Sequence, residues 1–125
     1  MLILVADDSP AVRRMVTARL IADGHEVTEA EDGLQALELA LEQPPNAVVL
    51  DKVMPKLDGF EVVRRLREHE ETRTVPIVML TEHTAEDDVL DGLSLGVDEY
   101  MPKPFSPREL SLRLGRILAR AGQGR

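Results

Sequence analysis

At 125 residues the chain has room for about one domain, and its hydrophobic fraction of 43% argues against disorder. Fifteen basic against twenty-three acidic side chains give a net charge of -8, which excludes a nucleic-acid surface built on phosphate neutralisation. Cysteine is absent, so disulfides, thiolate metal sites and thiol catalysis are excluded too, and with aromatics at only 2% the core must be aliphatic.

The chain opens on an apolar run, Leu2-Ile3-Leu4-Val5, that meets Asp7 and Asp8 at once. The run is too short for a signal peptide, and no later stretch approaches a membrane span, so the expected location is cytoplasmic. Ser9 and Pro10 form a helix start, and Val12, Met15, Val16 and Leu20 share the face that follows, ending near Gly24. Glu26 to Glu29 is mixed in polarity and reads as an edge strand. Leu34, Leu37 and Leu41 form the stripe of a second helix, which Pro44-Pro45 closes.

Ala47-Val48-Val49-Leu50 and Ile77-Val78-Met79-Leu80 are again continuous apolar runs, the pattern of strands covered on both faces. Between them Asp58 and Glu61 start a third helix with Val62, Val63 and Leu66 facing inward. Thr84 and Asp87 predict a capping box for a fourth helix carrying Val89, Leu90 and Leu93, ending at Gly96. Val97 to Met101 is a partly buried fifth strand. Ser106, Pro107 and Glu109 begin a fifth helix, with Leu110, Leu114, Ile117 and Leu118 on one stripe. Met15, Met54, Met79 and Met101 read as core or loop filling, and His25 and His69 as surface residues. Strict alternation of strands and helices predicts an α/β fold, a parallel sheet with helices on both faces.

The chemistry collects at one end of these strands. Asp7 and Asp8 close the first, Asp51 the third, Thr81 the fourth and Lys103 the fifth. Open parallel sheets bind ligands outside the carboxyl ends of their strands, where strand order reverses. Three carboxylates gathered there would raise one another's pKa values. Lys103 offsets one charge, and a divalent cation would offset more. Hard oxygen donors without sulfur or a nearby histidine favour Mg²⁺. Such a site suits phosphoryl transfer, with a carboxylate as the nucleophile.

The segments Val5-Ala6-Asp7-Asp8-Ser9, Leu50-Asp51-Lys52-Val53-Met54-Pro55 with Asp58-Gly59, Met79-Leu80-Thr81 and Glu99-Tyr100-Met101-Pro102-Lys103-Pro104-Phe105 resemble the receiver domain of two-component response regulators, the chemotaxis regulators among them. The resemblance implies a doubly wound, flavodoxin-like (βα)5 three-layer sandwich with a five-stranded sheet in the order 2-1-3-4-5. It implies that Asp51 is the phosphoacceptor. Mg²⁺ would be held by Asp8 directly, by Asp7 mainly through water, by Asp51 and by the backbone carbonyl of Val53. Thr81 and Lys103 would contact the phosphoryl group, with a cis Lys103–Pro104 bond, an isomer that costs little before proline. Tyr100 would act with Thr81 as the switch, turning inward when the threonine moves toward phosphate.

The implied function is a phosphorylation-activated switch that takes a phosphoryl group from a phosphohistidine and changes partner binding through the surface of the fourth helix, fifth strand and fifth helix. It catalyses only its own phosphorylation and dephosphorylation, so it is not an enzyme in the turnover sense. The implied partners are a sensor histidine kinase or histidine phosphotransfer protein and a downstream effector or fused output domain, with no direct contact to nucleic acid or membrane. A monomer is expected, with dimerisation on phosphorylation as an option that Glu109, Arg113 and Arg120 suggest. The receiver domain would span 1–121, leaving 122–125 as a flexible tail or the start of a linker.

Two positions depart from the pattern. Glu82 stands after Thr81 where a small residue is usual, and slow phosphorylation by small phosphodonors is the expected result. Lys52 is charged where apolar residues are commoner. Two alternatives stay open, a Mg²⁺-dependent phosphatase with an aspartyl nucleophile and a receiver-like module that works without phosphorylation. The phosphatase is disfavoured by adjacent Asp7-Asp8 on the first strand in place of D-x-D. The absence of a G-x-x-x-x-G-K-S/T loop argues against a nucleoside triphosphatase.

Overall fold

A computed structural model describes residues 1–82 and 96–123. The strands are β1 (Leu2–Ala6), β2 (Glu26–Ala30), β3 (Ala47–Asp51), β4 (Ile77–Thr81) and β5 (Glu99–Pro102). They alternate with helices α1 (Pro10–Ala22), α2 (Gly33–Glu42) and α3 (Gly59–Glu68), then a 3₁₀ turn (Glu70–Thr72) and a C-terminal helix (Pro107–Gln123). All pairings are parallel, in the order β2-β1-β3-β4-β5, as the resemblance implies. The fourth helix expected from Thr84, Asp87, Val89, Leu90 and Leu93 lies outside the described residues.

Successive strand residues point to opposite faces, and each face has its own core. Leu4, Ala6, Val48, Leu50, Ile77 and Met79 pack under α2 and α3. Ile3, Val5, Val49, Val78, Leu80 and Met101 pack under α1 and the C-terminal helix, where Leu110, Leu114, Ile117 and Leu118 meet them. This two-sided cover explains why β1, β3 and β4 are continuous apolar runs. β2, at the edge, keeps the mixed pattern of a strand half open to water.

Three local expectations need correction. In α2 the buried residues are Gly33, Ala36, Leu37 and Ala40, whereas Leu34 is exposed. The small side chains set that face, because α2 enters so close to the loop before α3 that a Cβ on Gly33 would sit 2.0 Å from the Leu57 carbonyl oxygen. Met15 is exposed on α1, whose buried contacts come from Val16 and Leu20. β5 begins at Glu99, two residues later than the apolar pattern suggests. Asp98 precedes the strand as a cap, its carboxylate accepting from the Ile77 N–H at 2.8 Å and its own N–H donating to the Ile77 carbonyl.

Helix starts follow the capping residues. Ser9 accepts from Val12 N–H, Asp32 from Gln35 N–H and Asp58 from Glu61 N–H. Ser106 likewise accepts from Glu109 N–H at 2.9 Å.

Candidate functional site

The site is built from strand ends. β1 and β3 are neighbours, so the residues that follow Ala6 and Leu50 emerge side by side. Asp7 is fully buried, its own N–H held by the Ala30 carbonyl. Its Oδ1 accepts the Ser9 N–H at 2.8 Å. Asp8 is exposed at the mouth of the cleft, and Asp51 is 6% exposed. One carboxylate oxygen from each of Asp7, Asp8 and Asp51 lies within 4.8 Å of the other two, a hard-oxygen cluster suited to a divalent cation.

Lys103 closes this cluster from the far edge of the sheet. Its N–H donates to the Thr81 carbonyl at 2.7 Å, which continues the β4–β5 ladder. Its ammonium donates to Asp7 Oδ2 at 3.1 Å and lies 3.4 Å from Asp51 Oδ2. The Lys103–Pro104 bond is cis. Thr81, at the end of β4, is 2% exposed. Val53 turns its side chain to solvent at 66% exposure, so the backbone is its contribution to the site. Its N–H reaches Asp51 Oδ1 at 3.4 Å.

Electrostatics follow from this geometry. Burial first, and then the Asp7 charge, push the Asp51 carboxyl up to about 6, with Lys103 pulling the other way. Partial burial works against the charge on Lys103, but its contacts to Asp7 and Asp51 more than offset this and hold it above the ordinary lysine range.

The loop after Asp51 is held by close backbone packing. Gly59 N–H donates to the Lys52 carbonyl at 2.7 Å, and a Cβ on Gly59 would meet the Asp51 carbonyl oxygen at 2.6 Å. Glycine is therefore required where α3 begins. Lys56 sits in this loop at φ 72, in the left-handed region. Lys52 places its ammonium 5.4 Å from the Phe60 ring centroid.

The cleft has a volume of about 500 Å³ and is lined by Asp8, Asp51, Lys52, Val53, Glu82 and Lys103, with Ser9 and Val12 on the α1 side. A second, more apolar hollow of similar size adjoins it, formed by Val12, Met15, Pro104 and Phe105 and sharing Glu82 and Lys103. Tyr100 stands apart from the cleft, partly buried against the core beneath α2 and α3.

Sequence reasoning missed Arg13. Its guanidinium donates to the Asp7 carbonyl at 2.7 Å and to Glu29 at 3.2 Å, pinning the backbone beneath the buried carboxylate. Its position at the end of the first turn of α1, five residues past Asp8, was the available signal.

Residues 3–115 match the family model of the response regulator receiver domain. The chain belongs to that family. Over 122 residues it is 42% identical to the phosphate regulon transcriptional regulatory protein PhoB of Pseudomonas aeruginosa, covering 98% of this chain and 53% of that protein. It is 46% identical over 118 residues to the probable transcriptional regulator ycf27 of Porphyridium aerugineum, covering 94% and 48% of the two chains. This receiver thus spans about half the length of the curated relatives it matches.

Among solved structures, the chemotaxis response regulator CheY4 of Vibrio cholerae superposes with a TM-score of 0.89 at 34% identity, covering 93% of this chain and 97% of that one. The receiver domain of the sensor histidine kinase PA1611 from Pseudomonas aeruginosa gives a TM-score of 0.87 at 35% identity, covering 94% and 97%. That receiver was solved with a magnesium ion coordinated in its active-site cleft. Here the donor set fits the same kind of ion, with three carboxylates able to converge on one point and no sulfur or imidazole among them.

Proposed function

We propose that this receiver is a signalling switch in which Asp51 accepts a phosphoryl group from a phosphohistidine on a sensor kinase or phosphotransfer protein. The observation that carries this reading is the convergence of Asp7, Asp8 and Asp51 within 4.8 Å, with Lys103 touching two of them. An unpaired acidic cluster would be only a solvated surface. One whose Asp7 and Asp51 are buried and share a lysine from the end of the edge strand β5 is a built site.

Asp8, Asp7, Asp51 and the Val53 carbonyl would hold Mg²⁺. When bound, the ion supplies positive charge against the oxygens of the transferring group. An ionised Asp51 carboxylate oxygen forms the new bond to phosphorus while the phosphorus–nitrogen bond to the imidazole breaks. The ring leaves neutral, its other nitrogen keeping the proton. With its pKa at about 6, Asp51 is mostly ionised at neutral pH and needs no separate base. Lys103 and the Thr81 hydroxyl stabilise phosphoryl oxygens by direct donation.

The new charge then recruits Thr81, and the segment after β4 follows it. Tyr100 turns inward, which alters the surface that β5 and the C-terminal helix would make with the expected fourth helix. The output is a change of partner, either an effector protein or an output domain fused beyond residue 121. Dimerisation on phosphorylation is an option for such a fusion. We place the reaction in the cytoplasm. No helix among the described residues is long and apolar enough to cross a membrane.

The test is intact mass after incubation with acetyl phosphate and Mg²⁺. Wild type should gain a single phosphoryl group and the Asp51→Asn variant none. Continuous turnover of a phosphomonoester would instead favour the phosphatase reading. No labelling by any donor, a cognate phosphohistidine included, would leave an interaction module.

A further inference from the structure

Among the described residues, Glu82 is the one acidic residue lining the cleft that takes no part in the cation cluster. It is exposed, and it borders both the acidic cleft and the apolar hollow beside it. Asp7 and Asp51 share Lys103, and Asp8 completes the cation cluster. The second ammonium of the cleft, Lys52, lies 5.4 Å from the centroid of the Phe60 ring. With a divalent cation in the cluster, its two charges and that of Lys103 would balance the three aspartates. Glu82 places a further carboxylate at the opening through which a phosphodonor must pass.

We propose that Glu82 is a donor-selecting residue, whose carboxylate at the cleft mouth disfavours small doubly charged phosphodonors and leaves Asp51 open to donors that arrive with less negative charge. This rests on the reading of Asp51 as phosphoacceptor. The chemistry at phosphorus is the same for every donor. A bond forms from Asp51 Oδ to phosphorus, and the bond to the leaving group breaks. Acetate leaves acetyl phosphate as the anion, and ammonia leaves zwitterionic phosphoramidate with the proton its nitrogen already carries. The two donors are similar in size, but at neutral pH acetyl phosphate is a dianion and phosphoramidate carries a single net charge. A unit charge lining a solvent-open cleft should slow a dianion by about three- to tenfold at low ionic strength, and a monoanion by about half as much on a logarithmic scale.

The experiment compares wild type, Glu82→Gln and Glu82→Ala, each saturated with Mg²⁺, following Asp51 labelling by intact mass with both donors at low and high salt. Glutamine keeps the size of the side chain and removes only its charge. We expect Glu82→Gln to accelerate labelling by acetyl phosphate about three- to tenfold, to accelerate phosphoramidate clearly less, and to lose most of the difference in high salt. Equal acceleration of both donors, or none, overturns the proposal while leaving Asp51 as acceptor. Acceleration by Glu82→Ala but not by Glu82→Gln also overturns it, because bulk and not charge would then be the barrier. Absence of labelling in all three proteins with both donors overturns this inference, and labelling by a phosphohistidine donor, with beryllofluoride binding followed by fluorine NMR, then decides whether the reading of Asp51 as acceptor falls with it.

Discussion

Lys103 and Asp7 meet at 3.1 Å although 96 positions separate them in the chain and two strands lie between β1 and β5 in the sheet. The lysine spans the carboxyl edge of the sheet and ends between two carboxylates that have almost no access to water. It therefore links folding and chemistry in one side chain.

Replacing Lys103 with methionine keeps the length of the stem and removes its charge. Two buried carboxylates then repel without a counter-ion, and without divalent cation the variant should lose about 2–3 kcal/mol of stability at pH 7.5. The loss should shrink toward pH 4.5, as Asp51 takes up a proton. In the double variant Lys103→Met with Asp51→Asn the two effects should be clearly non-additive. Urea unfolding at the two pH values measures all of this.

Asp51 gives a pH prediction of its own. Its folded pKa of about 6 lies above the value expected in the unfolded chain, so the folded state holds the proton more tightly. The sign follows directly. The contribution of Asp51 to stability is fully present below about pH 4 and is lost as pH rises through about 6. Asp51→Asn, which cannot ionise, should escape that loss and gain of the order of 2 kcal/mol over wild type at pH 7.5 without divalent cation, with little gain at pH 4. Added Mg²⁺ should narrow the gap by stabilising wild type. Equal thermal midpoints at pH 7.5 would rule this out.

The site and the sheet that carries it differ in how far the sequence reveals them. Apolar runs such as Val48-Val49-Leu50 declare a doubly covered strand, because both faces demand the same chemistry. Asp7, Asp51 and Thr81 are legible because each directly follows or ends such a run, and Lys103 because it follows the partly buried fifth strand. Arg13 and Arg67 are not, because their shortest contacts are to backbone carbonyls, which every residue carries and which only tertiary folding brings together. Leu34 and Met15 mislead for a related reason. Helical period defines a stripe, but the close approach of Gly33 to Leu57 rotates the buried face of α2 onto its small residues.

Arg67 shows what such a hidden contact is worth. One guanidinium nitrogen donates to the carbonyls of Thr72, Arg73 and Val75, and the other to Gly96 at 2.6 Å, so the end of α3, the 3₁₀ turn and the approach to β5 share one anchor. Arg67→Ala should cost about 2–3 kcal/mol. Arg67→Lys should recover little, because an ammonium cannot serve two directions with a planar fork. Chemical denaturation of both variants checks the ranking.

Lys56 occupies a left-handed conformation at φ 72 that a side chain disfavours, and its contact to Asp32 at 3.5 Å is solvent-exposed. Lys56→Gly should be neutral to stabilising by up to about 1 kcal/mol, and Lys56→Val destabilising by at least as much. Thermal unfolding of the pair gives the answer.

Arg113, on the C-terminal helix, donates to Glu99 and Glu109 at 2.7 Å and to the Tyr100 carbonyl at 3.1 Å. Both of its terminal nitrogens already donate within one molecule. Any self-association that recruited this arginine would trade an internal bond for an external one and gain little net enthalpy from the exchange. For Arg113 alone the exchange would sit near thermodynamic indifference, so contacts elsewhere would have to decide between one copy and two.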